Sequence, residues 1–274
     1  SFPDPPALRA YLAGLPDLDG CLLVGDFPIP WLEWDDHEYP FDVYYMDLDG
    51  TWVDADLDGM YDDHLGAPDP EIWVGRLQAG NLDLSGDEVP LLDNYFDKNH
   101  AYRTGELILP SRALVYVDDD WAHNAANLGQ QMEALFPDTT VISEPNATTA
   151  LDYGWRLGES YAWVHVFAHS TAFQHNFSYS EGDGPLSIHN LDVLQIDPRA
   201  FFYNLFACGA ARFVERNYLS GWYVFGDTFG LLTIGSTTGG SMVRGFDRFH
   251  SALAQGASLG GAFRDWFAVE GIAD

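Results

Sequence analysis

Short apolar runs rich in β-branched and aromatic residues recur along this chain: CLLVGD (21–26), DVYYMDL (42–48), EIWVGRL (71–77), ALVYVDD (113–119), TVIS (140–143), WVHVFAHS (163–170), FFYNLFAC (201–208) and LLTIGS (231–236). Several are apolar at odd and even positions alike. That is the pattern of strands covered on both faces, and such strands form a mostly parallel sheet flanked by helices. The segments 86–103, 124–136, 147–159 and 245–267 carry helical spacing, with Leu259, Phe263 and Trp266 of SLGGAFRDWF on one helix face. The predicted fold class is therefore α/β. At 274 residues and 47% hydrophobic composition the chain can bury a sizeable core.

No internal repeat or low-complexity linker interrupts the pattern, but the composition changes near residue 110. Upstream the chain is rich in Asp, Pro and Trp; downstream strand and helix alternate more regularly. The stretch GELILPSR (105–112) is the expected junction, giving a smaller N-terminal subdomain over 1–110 and a second over 111–274. One sheet running through both halves would read the same way.

Forty-two Asp and Glu against twelve Lys and Arg give a net charge of −30. Such a surface repels nucleic-acid phosphates and anionic membranes, so neither is an expected partner. It suits a salty or calcium-rich medium, and equally a face kept acidic for solubility alone. No run of about 18 apolar residues is present to cross a membrane. The opening SFPDPPALRA has neither the basic nor the apolar region of a signal peptide, and the chain reads as a domain cut from a longer precursor. Two cysteines, Cys21 and Cys208, make no disulfide framework, and Cys21 in its apolar run reads as core.

Two runs end on reactive side chains. WVHVFAHS delivers His169 and FFYNLFAC delivers Cys208, each at the carboxyl end of an expected strand. Open parallel sheets bind ligands beyond those ends. If the two strands are parallel neighbours, a nucleophile and a base emerge at one edge. An imidazole there lowers the thiol's pKa and later protonates a leaving amine. The small residues GAAR (209–212) would let a carbonyl approach main-chain amides acting as an oxyanion hole. Taken singly, a free Cys is usually an inert buried residue and a strand His a satisfied core residue; together at two strand ends they favour catalysis. His165 shares the strand parity of His169 but lies deeper, and His175 is on the following loop; both rank below His169.

VHVFAHS followed by FYNLFACGAARF resembles the His and Cys strands of the clan CD cysteine peptidases, the group of caspases, legumain, separase and gingipains. Within it the chain is most similar to the gingipain type, whose landmarks GCLLVGDFPIP, FDVYYMDLDG, PEIWVGRLQA, YFDKNHAYRTG, LLTIGSTTGGSMVRG and ALAQGASLGGAFRDWF look to follow in order over nearly the whole chain. The resemblance implies a caspase-like sheet preceded by a smaller α/β subdomain, in a secreted bacterial cysteine endopeptidase at the cell surface or outside it. Its partners would be protein or peptide substrates and other domains of the precursor. Cys208 becomes the nucleophile and His169 the general acid/base, with the amides of Cys208 and Ser170 holding the oxyanion. Glu33 becomes a third member orienting His169. Asp42 matches an Asp at the floor of the S1 pocket in arginine-specific members, where it would select a bond after Arg more than Lys; alternatively it orients a loop. Met242 becomes a pocket wall or simple packing. The family usually has Gly after the catalytic His, where this chain has Ser170, and GAARF departs from the commoner polar, Gly-rich sequence after the Cys.

DLDGTWVDADLDGMYDDHLG (47–66) places Asp54, Asp56 and Asp58 at alternate positions before Gly59, with Asp62 or Asp63 as a further ligand. This is the carboxylate spacing and tight turn of a calcium loop, although Leu65 stands where an EF-hand needs Glu. A structural Ca²⁺ is the expected cofactor, ordering the loop that follows Asp42. Two other readings stay open. One is a gingipain-like domain with little or no activity that binds proteins or surface glycans, which Ser170 favours. The other is a metal hydrolase, against which stands the lack of HExxH or comparable spacing.

Overall fold

A computed structural model describes residues 2–34, 37–179, 184–239 and 245–270. The chain begins with α1 (Pro5–Ala13), β1 (Gly20–Val24), β2 (Trp31–Trp34), β3 (His37–Pro40), α2 (Val43–Met46), β4 (Thr51–Val53), β5 (Asp63–Leu65) and β6 (Trp73–Leu77). Next come α3 (Glu88–Thr104), β7 (Ala113–Val117), a 3-10 turn over Asp119–Asn124, α4 (Ala125–Glu133), β8 (Thr139–Ile142), α5 (Ala150–Leu157) and β9 (Trp163–Phe167). The short strands β10 (His169–Thr171), β11 (Gln174–Asn176) and β12 (Ser187–His189) precede α6 (Asn190–Ile196), β13 (Phe202–Phe206), α7 (Leu219–Val224), β14 (Leu232–Gly235), α8 (Phe246–Ala254) and α9 (Leu259–Glu270). No helix among the described residues is long and apolar enough to cross a membrane.

The chain divides into two compact units, Ser1–Gln78 with Ser241–Asp274, and Ala79–Gly240. The second is built on a five-stranded sheet in the order β14-β13-β9-β7-β8. All four pairings are parallel. Every residue of β7 and β9 is buried, which is why those runs are apolar on both faces. After β7 the chain moves outward to β8, then returns to place β9 on the other side of β7. The β7/β9 junction is thus a topological switch point, where an open α/β sheet forms its crevice.

The first unit holds a parallel pair, β1 with β6, and two antiparallel pairs, β2–β3 and β4–β5. Leu8 and Leu12 of α1 pack with Leu23, Phe41, Tyr44, Tyr45 and Ile72. Polar anchors hold the irregular backbone between these elements. Arg9 donates to Asp47 O and Gly50 O, while the buried Asp47 carboxylate meets His64 Nε2 at 2.8 Å.

Three expectations change. The run at 42–48 is the single helical turn α2 rather than a strand: Tyr45 N and Met46 N donate to Asp42 O, and burying three successive side chains, Tyr44, Tyr45 and Met46, suits a helical turn in this core. The helical stretch 245–267 is two helices, broken where Gly256 takes a left-handed φ of +92°. The boundary expected at 110 falls at 78, and the C-terminal helices join the first unit. Residues 79–110 stay with the second unit because α3 is pinned there: Lys98 Nζ donates to Val224 O, Gly226 O and Phe229 O, and Tyr95 OH to Leu231 O. Burial pulls the Lys98 ammonium down to about 8. α9 lies on β6 so closely that a Cβ on Gly260 would fall 2.2 Å from the Trp73 ring, and Arg264 ties it to Asp19.

Candidate active site

Register decides what meets at the carboxyl edge of the large sheet. Phe167 at the end of β9 pairs with Val117 of β7 on one side and Phe206 of β13 on the other. The main chain extends this contact one step further, with Asp118 N donating to Phe167 O at 2.9 Å and Ala168 N to Phe206 O at 3.4 Å. His169 and Cys208 each lie two residues beyond that paired level. The strands run parallel as neighbours, as the sequence required for His169 and Cys208 to emerge on one edge.

The two loops also pack together. Immediately after Cys208, Gly209 takes a left-handed φ of +62° and donates its N–H to Thr238 O at 2.8 Å. A Cβ there would stand 3.6 Å from Ala172 N, so the cysteine turn rests on the hairpin that starts at His169. Among the described residues the Cys208 N–H donates to no backbone acceptor. Cys208 is half-buried.

Ser170 is the middle residue of β10, paired with His175 of β11. Its φ is not positive, so this backbone has no need of the glycine usual at that position. Its Oγ donates to Gln174 O at 2.7 Å, with Thr171 O at 2.9 Å, which turns the hydroxyl into the hairpin. His175 is fully buried against Tyr153 and Tyr223, and desolvation holds its imidazole down to about 3. His165 is likewise buried, beside Phe167.

The carboxylate that meets His169 is Asp120, its Oδ2 lying 2.7 Å from Nε2. Trp121 packs on the same imidazole at 4.7 Å between ring centroids and reaches Phe206 at 6.1 Å. Both residues lie on the 3-10 turn that leaves β7, on the far side of the switch point from Cys208. Sequence reasoning missed them, although DDDW after an apolar run marks a third strand end loaded with polar groups.

Glu33 lies in the first unit, on β2, and its carboxylate groups with those of Asp56 and Asp62. Asp56 also belongs to a second group with Asp54 and Asp58. Desolvation, then the negative charges of Asp58, Asp56, Asp62 and Glu38, raise Glu33 above its ordinary value. Asp54 accepts from Leu57 N and Gly59 N, where Leu57 and Gly59 take left-handed φ values of +66° and +98°. Asp63 stands outside both groups and accepts from His64 N.

Asp42 precedes α2 in the first unit, its two oxygens accepting from Arg76 Nε at 2.9 Å and Nη2 at 2.7 Å. The pair is largely out of water, with side-chain exposures of 5% for Arg76 and 19% for Asp42. Arg76 reaches on to Phe27 O and Pro28 O, so this carboxylate already carries a guanidinium. Cys21, on the neighbouring strand, is pushed up to about 11 by burial and then by Asp42, as befits an inert thiol. Met242 lies outside the described residues.

No protein-family model matches the sequence, and no curated protein matches it. Solved structures do. The Arg-specific cysteine proteinase gingipain R (RgpB) superposes over 96% of this chain with a TM-score of 0.64 at 16% identity. The complex of Porphyromonas gingivalis RgpB pro- and mature domains covers 96% with a TM-score of 0.63 at 16% identity. A further protease structure covers 86% with a TM-score of 0.57 at 15% identity. This chain spans 61%, 62% and 50% of those three chains, respectively. Its five-stranded parallel sheet with flanking helices is thus a caspase-like fold of the gingipain type.

Proposed function

We propose that this protein is a cysteine endopeptidase in which Cys208 is the nucleophile and His169 the general acid/base. The observation that carries this reading is the β9–β13 register, which brings the two residues past one sheet edge at the same level. In the proposed cycle the thiol proton passes to His169 and the sulfur bonds to the peptide carbonyl carbon. The Cys208 amide, with that of Ser170, steadies the oxyanion. The C–N bond breaks as the amine leaves with the His169 proton. Water, giving a proton back to His169, then hydrolyses the thioester, releasing the carboxylate product and restoring the thiol.

The proposed preference is for a bond after a basic residue, Arg above Lys. A net charge of −30 supports it by drawing cationic peptides. Asp42 adds to it only where a substrate guanidinium displaces Arg76. Calcium is the proposed structural cofactor, with Asp54, Asp56, Asp58 and Asp62 as ligands and Glu33 beside them. These hard oxygen donors suit Ca²⁺, and a bound cation would neutralise carboxylates that now repel one another. The proposed setting is extracellular or at a cell surface, within a longer precursor whose other domains are partners alongside the substrate.

The test is a panel of fluorogenic peptides ending in Arg, Lys, Asp or Asn, with and without calcium, against wild type and Cys208→Ala. Cleavage after Arg that C208A abolishes, a loss of about a thousandfold or more, is the expected result. If Asp42→Asn leaves Arg cleavage unchanged, recognition of the basic residue lies elsewhere. The second reading, a binding domain without turnover, is favoured by the saturation of Asp42 by Arg76. It predicts silence on every peptide and a Cys208 that iodoacetamide does not label.

A further inference from the structure

We infer that Ser170 is a positioning residue whose hydroxyl closes the hairpin beginning at His169 and so fixes the direction of the Ser170 N–H, the amide proposed to steady the oxyanion; this rests on the peptidase reading above. The β10–β11 loop is two residues, Ala172 and Phe173, closed by the pair Thr171 and Gln174. Two-residue hairpins favour type I′ or II′ turns, whose twist matches that of the strands and which need a positive φ at the first central residue. Neither Ala172 nor Phe173 has one. Side-chain ties must therefore supply what the turn's own geometry does not. Ser170 gives one across the mouth of the loop, its single hydroxyl proton shared between Gln174 O at 2.7 Å and Thr171 O at 2.9 Å.

The other ties hold the tip of the loop. Ala172 O accepts from Leu219 N at 2.7 Å and Phe173 O from Asn190 N at 2.8 Å, while Thr171 Oγ1 accepts from Phe173 N at 3.1 Å. Bonded and non-bonded pairs alternate along an antiparallel ladder, and the pair that closes a two-residue loop is bonded. Ser170 and His175 thus form a non-bonded pair, with the Ser170 N–H directed away from β11. His175 is fully buried and anchors β11, so closing the mouth aligns β10 to a fixed partner. The cysteine turn rests on the same stretch, a Cβ on Gly209 meeting Ala172 N at 3.6 Å and Thr171 C at 3.8 Å. A serine where glycine is usual therefore adds a tie at the point where the hairpin and the cysteine turn meet.

The experiment compares wild type with Ser170→Ala, Ser170→Gly and Ser170→Thr. On a fluorogenic peptide ending in Arg, S170A and S170G should lower kcat about tenfold with KM unchanged, and S170T, which keeps the hydroxyl, should recover part of the loss. A peptide aldehyde, whose hemithioacetal puts an oxygen where the oxyanion forms, should bind S170A more weakly by a similar factor. Iodoacetamide, which loses iodide to the thiolate and forms no oxyanion, should alkylate Cys208 in S170A at the wild-type rate. Amide hydrogen exchange at Thr171 and Gln174 should quicken about fivefold in S170A, the effect of one lost hydrogen bond, with β9 unchanged. S170G at or above the wild-type kcat overturns the inference, as does a fall in alkylation that matches the fall in kcat. If wild type cleaves no peptide, the peptidase reading fails, while exchange in S170A still decides whether the hydroxyl closes the hairpin.

Discussion

Asp42 in the first unit and Asp120 in the second each hold one basic side chain, under opposite conditions. Asp42 and Arg76 are nearly out of water and both carboxylate oxygens are spent. Asp120 and His169 have side chains 57% and 56% exposed, and one carboxylate oxygen makes the contact. A buried pair cannot lose one member without leaving an uncompensated charge, whereas an exposed pair contributes little to stability. The contrast extends to the surroundings. Charged anchors hold the irregular Asp-rich segments of the first unit, while the second rests on a dry sheet whose register does not depend on its polar edge. The imidazole proposed as the general acid/base is therefore held by a contact on which little of the fold's stability depends.

The largest expected effect tests that contrast directly. Arg76→Met should lower unfolding free energy by about 3–5 kcal/mol in urea titrations followed by tryptophan fluorescence, against less than about 1 kcal/mol for D120A. Equal losses would break the comparison.

Next comes acid. His175 is held down to about 3 in the folded state against 6.5 in an unfolded chain, so below pH 6.5 the unfolded state binds the proton first. Its contribution is intact above pH 6.5 and drains away toward pH 3, costing roughly 3 kcal/mol by pH 4. His175→Phe should remove this limb from a plot of stability against pH, while an unchanged limb would place the acid sensitivity elsewhere.

The smallest effect belongs to the acidic loop. Millimolar calcium should raise Tm by about 2–4 °C, corresponding to about 1 kcal/mol for a weak extracellular-type site. Asp56→Asn, which enters both carboxylate groups, should abolish the rise. A calcium response that survives D56N would dissociate the ion from this loop.

Much of the second unit was legible because its strands are apolar on both faces. The runs around 113–117, 163–167, 202–206 and 232–235 announce themselves, and their ends place His169 and Cys208. The run at 42–48 misled because local propensity favours extension there, whereas packing around Tyr44 and Tyr45 favours a turn of helix. The unit boundary was illegible for a different reason: α8 and α9 return to the first unit across some 160 residues, and nothing local in sequence encodes a return. Asp120 lay hidden in an acidic chain where 42 Asp and Glu dilute any one of them. Strands of three or four residues, such as those of the pairs β2–β3 and β10–β11, are too short to show a period.

The parallel register of β9 and β13 has a further corollary. Because the alignment of residues 169 and 208 is set by two strands clamped in a sheet, the chain between them carries no metric burden. Hairpins and helices in that interval can be lengthened, shortened or exchanged, and residues 169 and 208 will still leave the sheet at the same level. Such an architecture separates two tasks, leaving the rim free to vary in length while the sheet alone keeps positions 169 and 208 level.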